Sequence, residues 1–345
     1  NRIFLKSITM TKRKKVLSLL KGKHMDEKIC SCPLATPTVE QMELEDAFWP
    51  EAQIEAEKMA TLAGAAHKIL DFDGIRIPFD LCVEGEAFGC KIKDGTIDRP
   101  PSILEPAFKD LKDFSVSKNL LERGRIPNVL SACNLLSQKY NDIPIYGGIV
   151  GPITLAGHIL RTEWILKSTI KYPNDLNEVI ESLVDFSIEY ANTLLENGAD
   201  VICILDPVAS GDMLSARSFK KFLIPAYKQM HSQIKSPIIL HICGSTTHFL
   251  KMLSKTGLES FSFEGPTVDV KGVKEVLNNN MVAVGNIPTS TLLFGSPKDV
   301  NEMSLKALAD GVDILAPACG IPPRAPIENI REMSNAVKSF NKRKN

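Results

Sequence analysis

Two soft metal ligands stand two residues apart at the end of an apolar run, in Pro237-Ile238-Ile239-Leu240-His241-Ile242-Cys243-Gly244. Side chains on a strand alternate between faces, so His241 and Cys243 share one face and Ile242 points the other way, toward a helix layer. An imidazole and a thiolate on one face make half of a zinc site. Cys319, in Ala316-Pro317-Ala318-Cys319-Gly320-Ile321, follows a second apolar run and is the candidate third ligand. One His with two Cys suits Zn2+, one ion per chain, and three protein ligands leave the fourth position open. Structural zinc normally closes with four protein ligands, so an open set reads as catalytic. A thiol that takes the open position loses its proton at neutral pH and becomes a nucleophile; a water there is activated instead. Two carboxylates at strand ends join the candidates. Glu264 is expected to fill the fourth position while substrate is absent, or to accept the thiol's proton. Asp206 is the second, and either could instead cap a helix or hold the ligand histidine.

These residues are useful only if the fold brings them together. Eight short apolar runs alternate with helical stretches: 28–34, 73–79, 143–149, 200–205, 237–243, 260–265, 281–286 and 312–316. Helical periodicity is expected over 11–23, 51–70, 125–140, 152–170, 174–197, 215–234, 246–256, 270–278, 297–310 and 326–338. Strict alternation implies a parallel sheet, and eight units in a chain of 345 residues is the count of an α/β (β/α)8 TIM barrel. The competing open, doubly wound sheet usually carries a Gly-rich phosphate loop after its first strand. Neither G-x-G-x-x-G nor G-x-x-x-x-G-K-[ST] occurs. In a barrel the strand ends converge on one mouth, which places strands five and eight across the same rim. Cys319 can then reach His241 and Cys243.

The barrel is expected to carry an N-terminal helical extension and an excursion after strand 2, residues 81–117, where prolines and glycines are dense. A small hairpin is expected there near Cys90–Ile97. Residues 1–10 read as an N-terminal extension, with Met10-Thr11-Lys12 resembling a true beginning, and 11–345 as one catalytic domain. Arg76, Gly148 and Asn286 are candidates for a substrate pocket. Arg76, Arg123 and Arg125 could each receive an anion, although a salt-bridged surface position is the ordinary fate of such residues. Gly147-Gly148 and Gly151-Pro152 suggest close backbone approach to a ligand or to a helix. Cys30-x-Cys32 is a rival soft pair without a histidine and reads as barrel lining. His248 follows the metal strand; His24, His67, His158 and His231 read as surface or core.

Composition narrows the class. Lys+Arg and Asp+Glu balance at 41 each, which gives no field to recruit nucleic acid or an anionic membrane. No run reaches the ~20 apolar residues of a membrane span. The eight cysteines are scattered, as expected of reduced thiols and metal ligands in a cytoplasmic protein.

The combination resembles a known family. Leu240-His241-Ile242-Cys243-Gly244, Ala199-Asp200-Val201 with Asp206-Pro207-Val208-Ala209-Ser210, and Asp313-Ile314-Leu315-Ala316-Pro317-Ala318-Cys319-Gly320-Ile321 are similar to the methylcobamide:coenzyme M methyltransferases of the uroporphyrinogen decarboxylase superfamily. Gly124-Arg125-Ile126-Pro127 and Val284-Gly285-Asn286 match as well, and the likeness runs from about 12 to 337. The resemblance implies zinc on His241, Cys243 and Cys319 and coenzyme M as substrate. It implies a cobamide supplied by a small corrinoid carrier protein, and a place in methylotrophic methane formation. The methanol-linked and methylamine-linked isozymes share these motifs. The alternatives are a decarboxylase of the uroporphyrinogen type and a methyltransferase for another thiol. Against the decarboxylase, Cys30-Ser31-Cys32-Pro33-Leu34-Ala35-Thr36 lacks the arginines that enzyme carries after its first strand.

Overall fold

The computed structural model describes residues 10–264, 269–277 and 281–343. Eight strands form one parallel sheet: β1 Ile29–Cys30, β2 Ile75–Ile77, β5 Ile145–Val150, β6 Val201–Leu205, β7 Ile238–Ile242, β8 Ser260–Phe263, β9 Val282–Ile287 and β10 Ile314–Pro317, with β3 Lys91–Lys93 and β4 Ser102–Glu105 forming a separate antiparallel hairpin. The order β1-β10-β9-β8-β7-β6-β5-β2 is the (β/α)8 barrel expected from the sequence, and all eight strands lie where the apolar runs fall. Nearly every strand residue is buried because helices cover the outer face and side chains fill the interior.

The two ends of that order meet at a seam. Asp73 N–H donates to the Cys30 carbonyl at 2.7 Å, and the Asp73 carboxylate accepts from Cys30 N–H at 3.0 Å. The Ser31 hydroxyl meets the Tyr146 hydroxyl at 2.9 Å across the same gap. The helix Lys12–Leu20 braces the seam from outside, where Lys12 Nζ lies 2.8 Å from Asp71 and 3.0 Å from Asp73.

Several local expectations change. The hairpin arms are β3 and β4, so the turn runs much further than Cys90–Ile97. The excursion also contains a helix, Val83–Phe88, closed by Gly89 at φ +101°. The 152–170 stretch is two helices, Pro152–Leu160 and Thr162–Lys171, because Arg161 turns to φ +70° between them. The 246–256 stretch keeps only Leu250–Leu253 as α-helix. The helix Val39–Glu45 was not expected, although its Thr38/Gln41 capping box was legible as T-x-x-Q. The 1–10 extension, apart from Met10, falls outside the described residues, as do parts of the 260–265 and 270–278 stretches. Among the described residues, no helix is long and apolar enough to cross a membrane.

Candidate metal centre and its cavity

His241 and Cys243 leave the C-terminal end of β7 on one face, as alternation requires, with Nε2 and Sγ 3.1 Å apart. Register pairs His241 with Ser262 and Ile242 with Phe263. Ile242, fully buried in the hydrophobic core, therefore lies on the opposite face from His241, as the register argument required. Cys319, two residues beyond β10, brings its sulfur to 3.6 Å from that of Cys243. Among the described residues these three form the one group of potential metal ligands, with all ligand atoms within 4.8 Å of one another.

The donor set can be tested against a metal. Bonds of about 2.3 Å to sulfur and 2.0 Å to nitrogen give a tetrahedron whose edges are about 3.5–3.8 Å. The two sulfurs stand at that spacing and the imidazole slightly inside it. His241 Nδ1 is 3.0 Å from the Ser262 hydroxyl, which fixes the ring with Nε2 toward the thiols, as a ligating histidine needs. The hydrogen bond from Cys243, reinforced by His241, pushes the Cys319 thiol well below its usual range, while Cys243 is pushed up by the same bond and by burial. Ser262 escaped the sequence reading, yet the alternation Ser260-Phe261-Ser262-Phe263 puts it on the inner face and could have revealed it.

Glu264 follows β8, and its Oε2 accepts from Gly244 N–H at 2.6 Å. That bond holds a carboxylate beside the Cys243 turn, close enough for its charge to raise the Cys243 thiol. Asn286 sits near the end of β9, two residues beyond Val284, which pairs with Ser262. It is partly exposed.

Asp206 does not join this group. It is fully buried and turned to the helices, accepting from Thr154 N–H at 2.9 Å, the Thr154 hydroxyl at 2.6 Å and the Tyr227 hydroxyl at 2.8 Å. Burial pushes its carboxyl up to about 6. The glycines are explained by side chains of the chain itself. A Cβ at Gly151 would lie 2.2 Å from the Asp206 carboxyl carbon, and one at Gly148 would lie 2.3 Å from Arg76 Nη2.

Two arginines depart from the surface salt-bridged state. Arg125 is buried, bonded to both Asp80 oxygens at 2.8 and 3.0 Å and to Glu86 at 2.7 Å. Arg76 is also buried, and its Nε and Nη2 have no hydrogen-bond partner. Arg76 and Cys319 line one cavity of about 480 Å³, in the size range of small-molecule sites. Its walls are mainly apolar, with Trp49, Phe79 and Leu205 among them, and the excursion covers it through Pro100–Ile103. His158 reaches the same cavity; burial pushes it down to about 4, so it is neutral at physiological pH. Cys30 and Cys32 are buried, and burial pushes the Cys32 thiol up to about 12, as suits barrel lining. His248 is exposed.

The family model for uroporphyrinogen decarboxylase (URO-D) matches residues 11–340. The methylcobamide:CoM methyltransferase MtbA of Methanosarcina acetivorans is 36% identical over 336 residues, 96% of this chain and 98% of that protein. The methylcobamide:CoM methyltransferase MtaA of Methanosarcina barkeri is 38% identical over 327 residues, 94% of this chain and 96% of that protein. The solved structure of a methyltransferase from Methanosarcina mazei superposes with a TM-score of 0.93 at 37% identity, covering 96% of this chain and 99% of that one.

Proposed function

Since the chain belongs to the methylcobamide:CoM methyltransferases, within the uroporphyrinogen decarboxylase family, we propose that it transfers a methyl group from a methyl-Co(III) corrinoid to the thiol of coenzyme M. The observation that carries this reading is the convergence of His241, Cys243 and Cys319 beside an apolar cavity at the C-terminal end of the barrel. The three residues would hold one Zn2+. Such an ion lowers the pKa of a thiol entering its open position, so that the substrate sits there as thiolate.

The chain's own residues do the rest. Ser262 orients His241, and Gly244 N–H holds the Glu264 carboxylate beside the Cys243 turn, where it would accept the thiol's proton or serve as a fourth ligand before substrate arrives. The sulfur attacks the methyl carbon, the S–C bond forms and the Co–C bond breaks. Both electrons of that bond stay on cobalt, which leaves as Co(I). An unprotonated leaving group needs no general acid, which fits a mouth whose walls are apolar. The corrinoid arrives on a separate small carrier protein in the cytoplasm, so the mouth is also a docking surface.

Methylcobalamin and coenzyme M, incubated with the protein with and without a chelator, test this directly. Loss of methylcobalamin absorbance with formation of methyl-coenzyme M, abolished by the chelator and restored by zinc, is the expected result. Turnover that survives full metal removal, or decarboxylation of a porphyrinogen in its place, would sink the proposal. A second test addresses His241. Ser262→Ala should weaken zinc binding by about 10–100-fold, measured by competition with a chromogenic chelator, because the imidazole loses its orienting partner. Unchanged affinity would exclude Ser262 from that role.

A further inference from the structure

Arg76 poses a physical problem that the reaction chemistry does not explain. Its side chain is 2% exposed, and Nε and Nη2 lack partners. A buried cation without a counter-charge is among the costlier things a fold can hold. The same barrel satisfies its other buried arginine fully, since Arg125 has Asp80, Glu86 and the Gln53 carbonyl. The carboxylates near Arg76 are already committed. Both Asp80 oxygens bind Arg125, and Oδ1 also accepts from Cys82 N–H at 2.8 Å. Glu84 Oε1 accepts from Val150 N–H at 2.7 Å, and burial pushes that carboxyl up to about 7, so it is only partly ionised at neutral pH. Cys32 and Cys203, the other titratable neighbours, are buried and protonated, each thiol pushed up to about 12.

The surroundings also make room for the guanidinium. Position 148 is glycine, and any Cβ there would sit 2.3 Å from Nη2 and 2.6 Å from Nε. Arg76 lines the cavity that has Cys319 at another point of its mainly apolar wall, with its buried Nε and Nη2 lying against Gly148. One cavity therefore has a soft, thiol-binding end and a buried cation in its wall. A guanidinium is a charge-assisted hydrogen-bond donor to the oxygens of an anion.

We propose that Arg76 is the anion anchor of the substrate site: it receives the sulfonate of coenzyme M while the thiol lies at Cys319, and so selects anionic thiols over neutral ones. This rests on the thiol-methylating reading above, and it adds the residue that sets substrate class. Gly148 acts with it by leaving space for the guanidinium. The missing counter-ion of Arg76 is then the substrate itself.

The test compares the zinc-loaded wild type with Arg76→Met, Arg76→Lys and Gly148→Ala. Methylation is followed with 2-mercaptoethanesulfonate and with 2-mercaptoethanol, which has the same thiol and chain length but no charge. The ratio of kcat/KM for the sulfonate to that for the alcohol should fall about 100-fold in Arg76→Met, mostly through KM. Arg76→Lys should fall between Met and wild type. Gly148→Ala should lower the same ratio with Arg76 still present. Equal losses for both thiols, or no change in the ratio, overturn the anchor while leaving thiol methylation standing. Calorimetric titration with ethanesulfonate, which has no thiol, gives a readout without turnover. Binding to wild type and none to Arg76→Met supports the anchor even if neither thiol is methylated, a result that would sink only the reading it rests on. Equal binding to both proteins overturns the anchor.

Discussion

Cys319→Ala is expected to leave a folded barrel that holds less than about one-tenth of an equivalent of zinc after dialysis and retains under about 1% of wild-type methyl transfer. The physical basis is the ligand count. His241 and Cys243 sit on one strand and supply two donors, and the third comes only from the loop after β10. With Cys319 gone, only the imidazole and one sulfur remain, and two donors do not hold the ion against dialysis. The fold should hardly notice. Cys319 is partly exposed beside the cavity, so truncation to alanine leaves little void and costs about 1 kcal/mol or less.

Cys32→Ala is the matched control. Cys32 is buried and lines the barrel on the first strand's continuation, within electrostatic reach of Cys319. Its loss should lower stability by about 1–2 kcal/mol with full zinc content and turnover. Metal analysis, turnover and denaturant melts on the two variants give opposite patterns if the centre is His241, Cys243 and Cys319. Zinc and activity retained in Cys319→Ala, or lost in Cys32→Ala, would refute it.

The two halves of this centre were legible for different reasons. His241 and Cys243 are read from strand period alone, because i and i+2 must share a face wherever the strand lies. Cys319 needed topology, since its nearness to β7 follows only from eight βα units closing into a ring. The cavity was much less legible. Its walls come from Leu34 and Trp49 near the start of the chain, from Pro100–Ile103 in the excursion and from Ile321–Pro323 at the end, which no local pattern connects. Arg76 shows the limit most clearly. Its neighbours Ile75 and Ile77 mark an apolar strand, but whether the residue between them faces solvent, a carboxylate or an empty interior depends on which partners Asp80 and Glu84 have already taken. The short helices at 39–45, 83–88 and 289–294 failed for a simpler reason, being too short for a 3.6-residue period to show.

Asp206 is where a carboxylate at a strand end turned out to support the site from outside it. Its backbone N–H donates to the His241 carbonyl at 3.0 Å, while its side chain ties β6 to the helix beginning at Pro152 and to Tyr227. Asp206→Ala removes the acceptor from three hydrogen bonds and strands the buried Tyr227 hydroxyl, so a loss of about 3–5 kcal/mol in unfolding free energy is expected. Asp206→Asn keeps an acceptor for Thr154 and should cost less, and it exposes a pH term of definite sign. Burial raises the Asp206 carboxyl from 3.8 to about 6, so between those values the folded protein holds a proton that the unfolded chain has released. The stabilisation from this group is complete below the unfolded pKa and is lost as pH rises through about 6. Asparagine has no such proton. The stability of wild type relative to Asp206→Asn should therefore decline by an amount on the order of 3 kcal/mol between pH 4 and pH 7, read from urea melts of both proteins at each pH. A difference that stays flat, or grows with pH, would mean that Asp206 is ionised throughout the folded range. In either variant the zinc content of the folded fraction should match wild type, because the bond from residue 206 to His241 runs through the backbone and survives the change of side chain.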